Sequence, residues 1–262
     1  MFSKKLSIAA GYCTIAALGL VFIASSCKRE KNDTNVNPEE TGYAEEQLML
    51  EQIYDNADRI VDRAFTLGYG SLKGGENPLA ACAEITKDTT TNPDIKRMII
   101  NFGGGKCLGY DGRYRSGRLI VDYSHKLKMT DPGYYHKITF DMYIVDGQKL
   151  GGHRQVWNKG KNAAGNMTYE IASVDTIYLS DNSGKVTGAS ERMREWYMGA
   201  TTAQTSDDVY RLTGIGNFIR PNKEKYYIEI AEPLVDALSC NWINDGVINI
   251  YPESATQRVL DF

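Results

Sequence analysis

Glu191 and Glu195 stand four residues apart in a polar stretch, GASERMREWYMG. Two carboxylates flanking one bond are the equipment of a glycosidase, one acting as acid and the other as base or nucleophile. Here Arg192 and Arg194 flank them, so ion pairing between strands on a sheet face is the stronger explanation. Gly103-Gly104-Gly105-Lys106 invites a phosphate-loop reading, but that loop needs Gly, four residues, then Gly-Lys-Ser/Thr, and Cys107 follows the lysine. Leu108 stands where a dinucleotide fingerprint needs its third glycine, which leaves a Gly-rich turn. Asp181-Asn182-Ser183-Gly184 begins like a calcium loop without the later acidic ligand, and reads as a hairpin turn. The chain holds no Gly-x-Ser-x-Gly elbow and no His-Glu-x-x-His pair. A cysteine nucleophile would need Cys107 or Cys240 reduced and close to His125 or His153. No catalytic residue, metal ligand or cofactor is therefore assigned.

The cysteines have other uses. Lys4 and Lys5 precede an apolar run over residues 6–24, followed by Ser25, Ser26 and Cys27. A basic start, an apolar middle and small residues before a cut make a secretory signal. Ala24-Ser25-Ser26-Cys27 resembles the lipobox of bacterial lipoproteins, whose cysteine becomes the lipidated first residue of the mature chain. The alternative is an uncleaved transmembrane anchor, for which the apolar run is long enough. Both readings put the rest of the chain outside the cytoplasm. In an oxidising compartment Cys82 and Cys107, flanking two short strand patterns, are read as a disulfide. A metal pair would need further ligands at short spacing, and His125, His136 and His153 are scattered. Cys240 is left as a buried thiol or with a mate beyond Phe262, as though the chain ended before its last cysteine.

The elements that would carry these residues fall into a tether, a helix and a sheet. Residues 28–42 are rich in Asn, Glu and Lys, with too little apolar surface to bury, and form a solvated tether. Lys28 stands where an Asp would, by resemblance to lipoproteins, favour inner-membrane retention, so the expected residence is the outer membrane. Over residues 43–67, Met49, Ile53, Ala57, Ile60, Val61, Ala64 and Phe65 recur at helical spacing. Thr41 is placed to cap this amphipathic helix and Gly68 to end it. Its polar face is mainly acidic, which favours packing on the sheet over lying on anionic lipid.

From residue 82 the period changes to two. Ile138, Phe140, Met142 and Ile144 alternate with Lys137, Thr139, Asp141 and Tyr143, and Asp146-Gly147 then reverses the chain in a hairpin. The same grammar runs to the end, with an expected bend near Ser173, and predicts about nine to eleven strands joined by short connections. The fold class is mainly β: an antiparallel meander, an open curved sheet or barrel-like, with one N-terminal amphipathic helix. The domains read as a signal at 1–26, a lipidated tether at 27–42 and one helix-plus-meander domain at 43–262. In the strand around Arg192, charge falls on both faces, which suits a wide open sheet or a wet barrel rather than a tight sandwich. Arg192, Arg194 and Trp196 share one of those faces and form a possible ligand face.

The segments NFGGGKCLGYDGRYRSGRLIVDYS, ITFDMYIVDGQKLGGHRQVWN, EWYMG, DDVYRLTGIGNF and PLVDALSCNWINDGVINIY resemble a family of uncharacterised Bacteroidetes-type envelope lipoproteins. The resemblance covers most of the chain from Cys82 onward. It implies the address and the fold and no activity; it also implies a further cysteine after the last strand as the mate of Cys240.

Net charge is -3 with 24% charged residues, so no basic excess argues for nucleic acid. Seventeen Tyr against seven Phe suit sheet faces that are half wet. The expected function is a lipid-anchored cell-envelope protein, a non-catalytic binding or structural module. It is held to the membrane through its N-terminal lipid and meets an envelope protein, a glycan or an amphiphile. A carrier of an amphiphilic ligand is the first alternative, and an enzyme acting on envelope glycan the second.

Overall fold

The computed structural model describes residues 38–66 and 79–262. The signal, Cys27 and the tether up to residue 37 lie outside the described residues. Among the described residues one α-helix, α1 (Pro38–Thr66), is followed by twelve strands and, between two of them, a single 3-10 turn at Thr205–Asp207. They are β1 (Glu84–Thr89), β2 (Ile95–Asn101), β3 (Cys107–Leu108), β4 (Tyr114–Ser124), β5 (Tyr135–Val145), β6 (Gln148–Lys161) and β7 (Met167–Tyr178). Then come β8 (Lys185–Met198), β9 (Val209–Ile219), β10 (Lys225–Ala237), β11 (Asp245–Pro252) and β12 (Arg258–Asp261). All pairings are antiparallel and follow chain order in a single open sheet, with the short β3 paired to β4 off the main path. The meander is as expected, and it is open. The strand count of twelve exceeds the expected range because short pieces such as β3 and β12 have too little alternation to register in sequence.

The helix starts five residues earlier than its apolar stripe, so Thr41 lies inside it and does not cap it. Cys82 lies just before β1 and is bonded to Cys107 as expected. Cys240 is buried and disulfide-bonded, not the free thiol that is one of the two expectations. The expected bend at Ser173 is absent. β7 pairs with β8 in unbroken register from Thr168 to Tyr178, and Ser173 sits opposite Ser190. The irregularities fall elsewhere. Pro233 lies within β10, where the register shifts against both neighbours, because proline has no N–H to give to a ladder.

How the sheet meets the helix follows from two residues of α1 that are one turn apart. The Asn56 carboxamide meets Asp111 and the Arg115 guanidinium of β4, while Arg59, one turn on, meets Asp236 of β10. Those strands are six pairings apart, about 28 Å across a flat sheet. A helix is only about 10–12 Å wide. The sheet therefore curves around α1 and holds it against its concave face. Leu50, Ile53, Tyr54, Ala57, Val61 and Ala64 of the helix pack there into one core with Ile100, Leu119, Ile138, Leu150, Ile177, Leu212, Ile228 and Ile250 of the strands.

Candidate functional site

The concave face is not uniformly apolar. Arg115, Arg154, Arg192 and Arg194 all point inward and are buried. Each finds its acceptor through the helix or beside it. Arg154 of β6 forks onto Asp58, with Nε to Oδ1 at 3.0 Å and Nη2 to Oδ2 at 2.8 Å. Arg192 of β8 meets Glu51 at 2.6 Å, and Arg194 meets Asp62 at 2.8 Å. Arg59 of the helix is held between Asp55 of its own turn and Asp236. Arg115 donates to Asn56, Asp111 and the Tyr143 hydroxyl. At the other end of α1, Arg220 pairs with Glu46 at 3.3 Å and lies over the Tyr43 ring.

Glu51, Asp55, Asp58 and Asp62 are spaced four, three and four apart, so they form one row along the helix beside the apolar stripe. Strand alternation puts Arg192 and Arg194 on the inner side of β8, with Glu191, Met193 and Glu195 outward. This replaces the cross-strand ion pairs expected on β8. The arginines reach the helix, and Glu195 on the outer face accepts from Asn162 and Asn166, each at 2.7 Å. Those two amides first, partly opposed by burial, hold the Glu195 carboxyl below its usual range.

Where the ladder ends, a cavity of about 570 Å³ opens. Its walls are the second half of α1 (Asn56, Ile60, Asp62), Leu79, the turn at Tyr110 and Asp111, and the end of β8 (Arg194, Trp196). It is completed by the connection over residues 199–208, Tyr210 of β9, and Asp236 and Leu238. That connection is held from both sides. Thr202 N donates to the Gly199 carbonyl at 2.9 Å, Leu238 N to the Asp208 carbonyl at 3.0 Å, and Trp196 Nε1 to Asp208 Oδ1 at 3.1 Å. Gly199 is at φ +91, and a Cβ there would fall 2.2 Å from Asp208 Oδ1, so only glycine lets the chain pass.

Asp208 is 5% exposed. Burial first, then the charges of Asp207 and Asp62, push its carboxyl up to about 6 against the opposing Trp196 hydrogen bond. Asp236 is raised as well, by burial and then by Asp55, with Arg59 opposing. Arg194 is clamped between the Tyr169 and Tyr210 rings, at 5.1 and 4.9 Å from their centroids, and Trp196 lies 5.7 Å from Tyr210.

Of the residues singled out in the sequence, Arg194 and Trp196 line this cavity, whereas Arg192 is committed to Glu51 farther along the helix. Glu191 and Glu195 are outside it on the convex face. His136 is buried beside Phe65 and Tyr134, His153 is half-buried and His125 exposed, and none of them reaches the cavity. Among the described residues no cluster of His, Cys, Asp or Glu is arranged to hold a metal ion. The cavity thus offers carboxylates, amides, ring faces and hydroxyls, among them Thr202, which donates to the Asp207 carboxylate at 2.9 Å. Asp208 and Tyr210 escaped sequence reading; the signal was their place at the edge of the DDVYRL strand, beside a turn-rich stretch. No family model, curated protein or solved structure matches the chain.

Proposed function

We propose that this protein is a lipid-anchored binding module of the cell envelope, without catalytic machinery, that takes its ligand in the cavity at the end of the helix. The address rests on the sequence: a basic and apolar leader, the Ala24-Ser25-Ser26-Cys27 lipobox, a solvated tether, Lys28 after the lipid cysteine, and the resemblance to Bacteroidetes-type envelope lipoproteins. The ligand is drawn from the envelope, whether a protein, a glycan or a small amphiphile, and nucleic acid is not a partner.

One observation carries the binding reading. The concave face, where a carrier would hold an acyl chain, is filled by α1 and crossed by the guanidiniums of Arg115, Arg154, Arg192 and Arg194. The open volume lies instead at one end, about 570 Å³, within the roughly 300–1,000 Å³ of small-molecule sites. Among the described residues the concave face holds no continuous apolar trough, which weighs against the carrier. The outward placement of Glu191 and Glu195 weighs against the glycan-acting enzyme.

Native mass spectrometry of the full-length protein extracted from membranes, with the covalent lipid on Cys27 resolved from any bound mass, is the test. A non-covalent ligand is expected that disappears in Ala203→Trp, where the new ring fills the cavity. An acyl lipid retained equally by both forms would overturn the reading in favour of a carrier.

A further inference from the structure

The carboxylates that line the cavity are matched to arginines, with one exception among the described residues. Asp62 has Arg194, Asp236 has Arg59, and Asp111 has Arg115. Asp208, 5% exposed, has only the neutral Trp196 N–H on Oδ1, and its Oδ2, which accepts no hydrogen bond among the described residues, is left open to the cavity. Asp207 and Asp62 add negative potential at the same point. Arg63 also lines the cavity, but it is exposed at the end of the helix and its charge does not bear on Asp208. A buried carboxylate without a counter-charge is costly, and a cationic ligand would relieve that cost. Beside it the Trp196 ring lines the wall, an aromatic of the kind that attracts cations, while Tyr210 already carries Arg194 over its ring, and Ile60, Leu79, Met129 and Leu238 supply apolar wall.

We infer that the cavity takes a small organic cation, a primary ammonium on a short apolar stem, with Asp208 as its counter-ion. This rests on the cavity being the ligand seat. The same chemistry arrives as a free amine or as the side chain of a lysine-bearing peptide.

Calorimetric titration of the full-length protein at pH 7.5 separates the cases, using n-butylamine, n-butanol, butanoate and Nα-acetyl-lysine amide as probes. Butylamine is expected to bind at least about tenfold more tightly than the alcohol or the acid. Asp208→Asn is expected to abolish that preference, and Ala203→Trp all binding. Binding of the lysine amide as well assigns a peptide side chain, and binding of butylamine alone a free amine. Tighter binding of butanol or butanoate, blocked by Ala203→Trp, would overturn the cation and leave the cavity as a ligand seat, as would an amine preference unchanged in Asp208→Asn. No binding by any probe would overturn the cation site, while the ligand seat itself stands or falls with the mass-spectrometric test.

Discussion

Arg154 is 5% exposed and uses both edges of its guanidinium on Asp58. Such a pair contributes little net stability over an apolar pair of the same size, but breaking one half strands a charge in the core. Asp58→Ala is therefore expected to cost about 3–5 kcal/mol in urea unfolding, and Asp58→Leu combined with Arg154→Met to recover most of that loss. A double variant as unstable as the single one would show that the pair is not an isolated unit of the ladder. His136 gives the pH counterpart. Burial first, then the charges of Arg194 and Arg154, against the pull of Asp58, hold its imidazole down at about 3. The unfolded chain takes up that proton near pH 6.5, while the folded one stays neutral until about pH 3. Acidification through that window therefore favours unfolding, by about 1.4 kcal/mol per pH unit at the steepest. His136→Leu is expected to gain stability relative to the parent as pH falls from 7 to 4. Parallel stability curves for the two proteins would remove His136 as the source.

Among the elements, the helix was legible and its second role was not. Ile53, Ala57, Ile60, Val61 and Ala64 announced a buried stripe, and they are buried. The acidic row at Glu51, Asp55, Asp58 and Asp62 has the same period, but acids on a helix read as a solvated face unless their partners are known. The partners of Glu51, Asp58 and Asp62 lie on strands more than fifty residues away, and no local pattern connects them. Strand alternation on β8 was equally readable, with the arginines on one side and the glutamates on the other. Bulges were not. Gly117 sits at φ +78 where the β4 to β5 register shifts, and a Cβ there would lie 2.1 Å from the Met142 carbonyl oxygen. Gly117→Ala is expected to cost about 1–3 kcal/mol in thermal or urea unfolding. An unchanged midpoint would mean that the two strands re-register freely.

At the scale of the molecule, the sheet depends on the helix as much as the helix on the sheet. Without α1, four buried arginines would face each other and water across an open trough. A chain lacking residues 38–66 is accordingly expected to lose its near-UV circular dichroism and its sharp thermal transition. A cooperative transition close to that of the intact protein would show that the sheet is a self-sufficient domain.

Sequence by itself determined what depends on neighbours in the chain: the period-two strands, the turns between them, the amphipathic helix and the Cys82–Cys107 bridge between adjacent strand patterns. Each is decided by spacings of two to four residues, or by a compartment's chemistry. Tertiary structure alone decided that the sheet stays open, that it curls until β4 and β10 reach neighbouring residues of one helix, and that this helix neutralises Arg154, Arg192 and Arg194. Accumulated strand twist and the pairing of distant charges set those features, and neither has a period along the chain. The cavity belongs with them, because its walls are the ends of elements from Asn56 to Asn241 brought together only when the sheet closes on the helix.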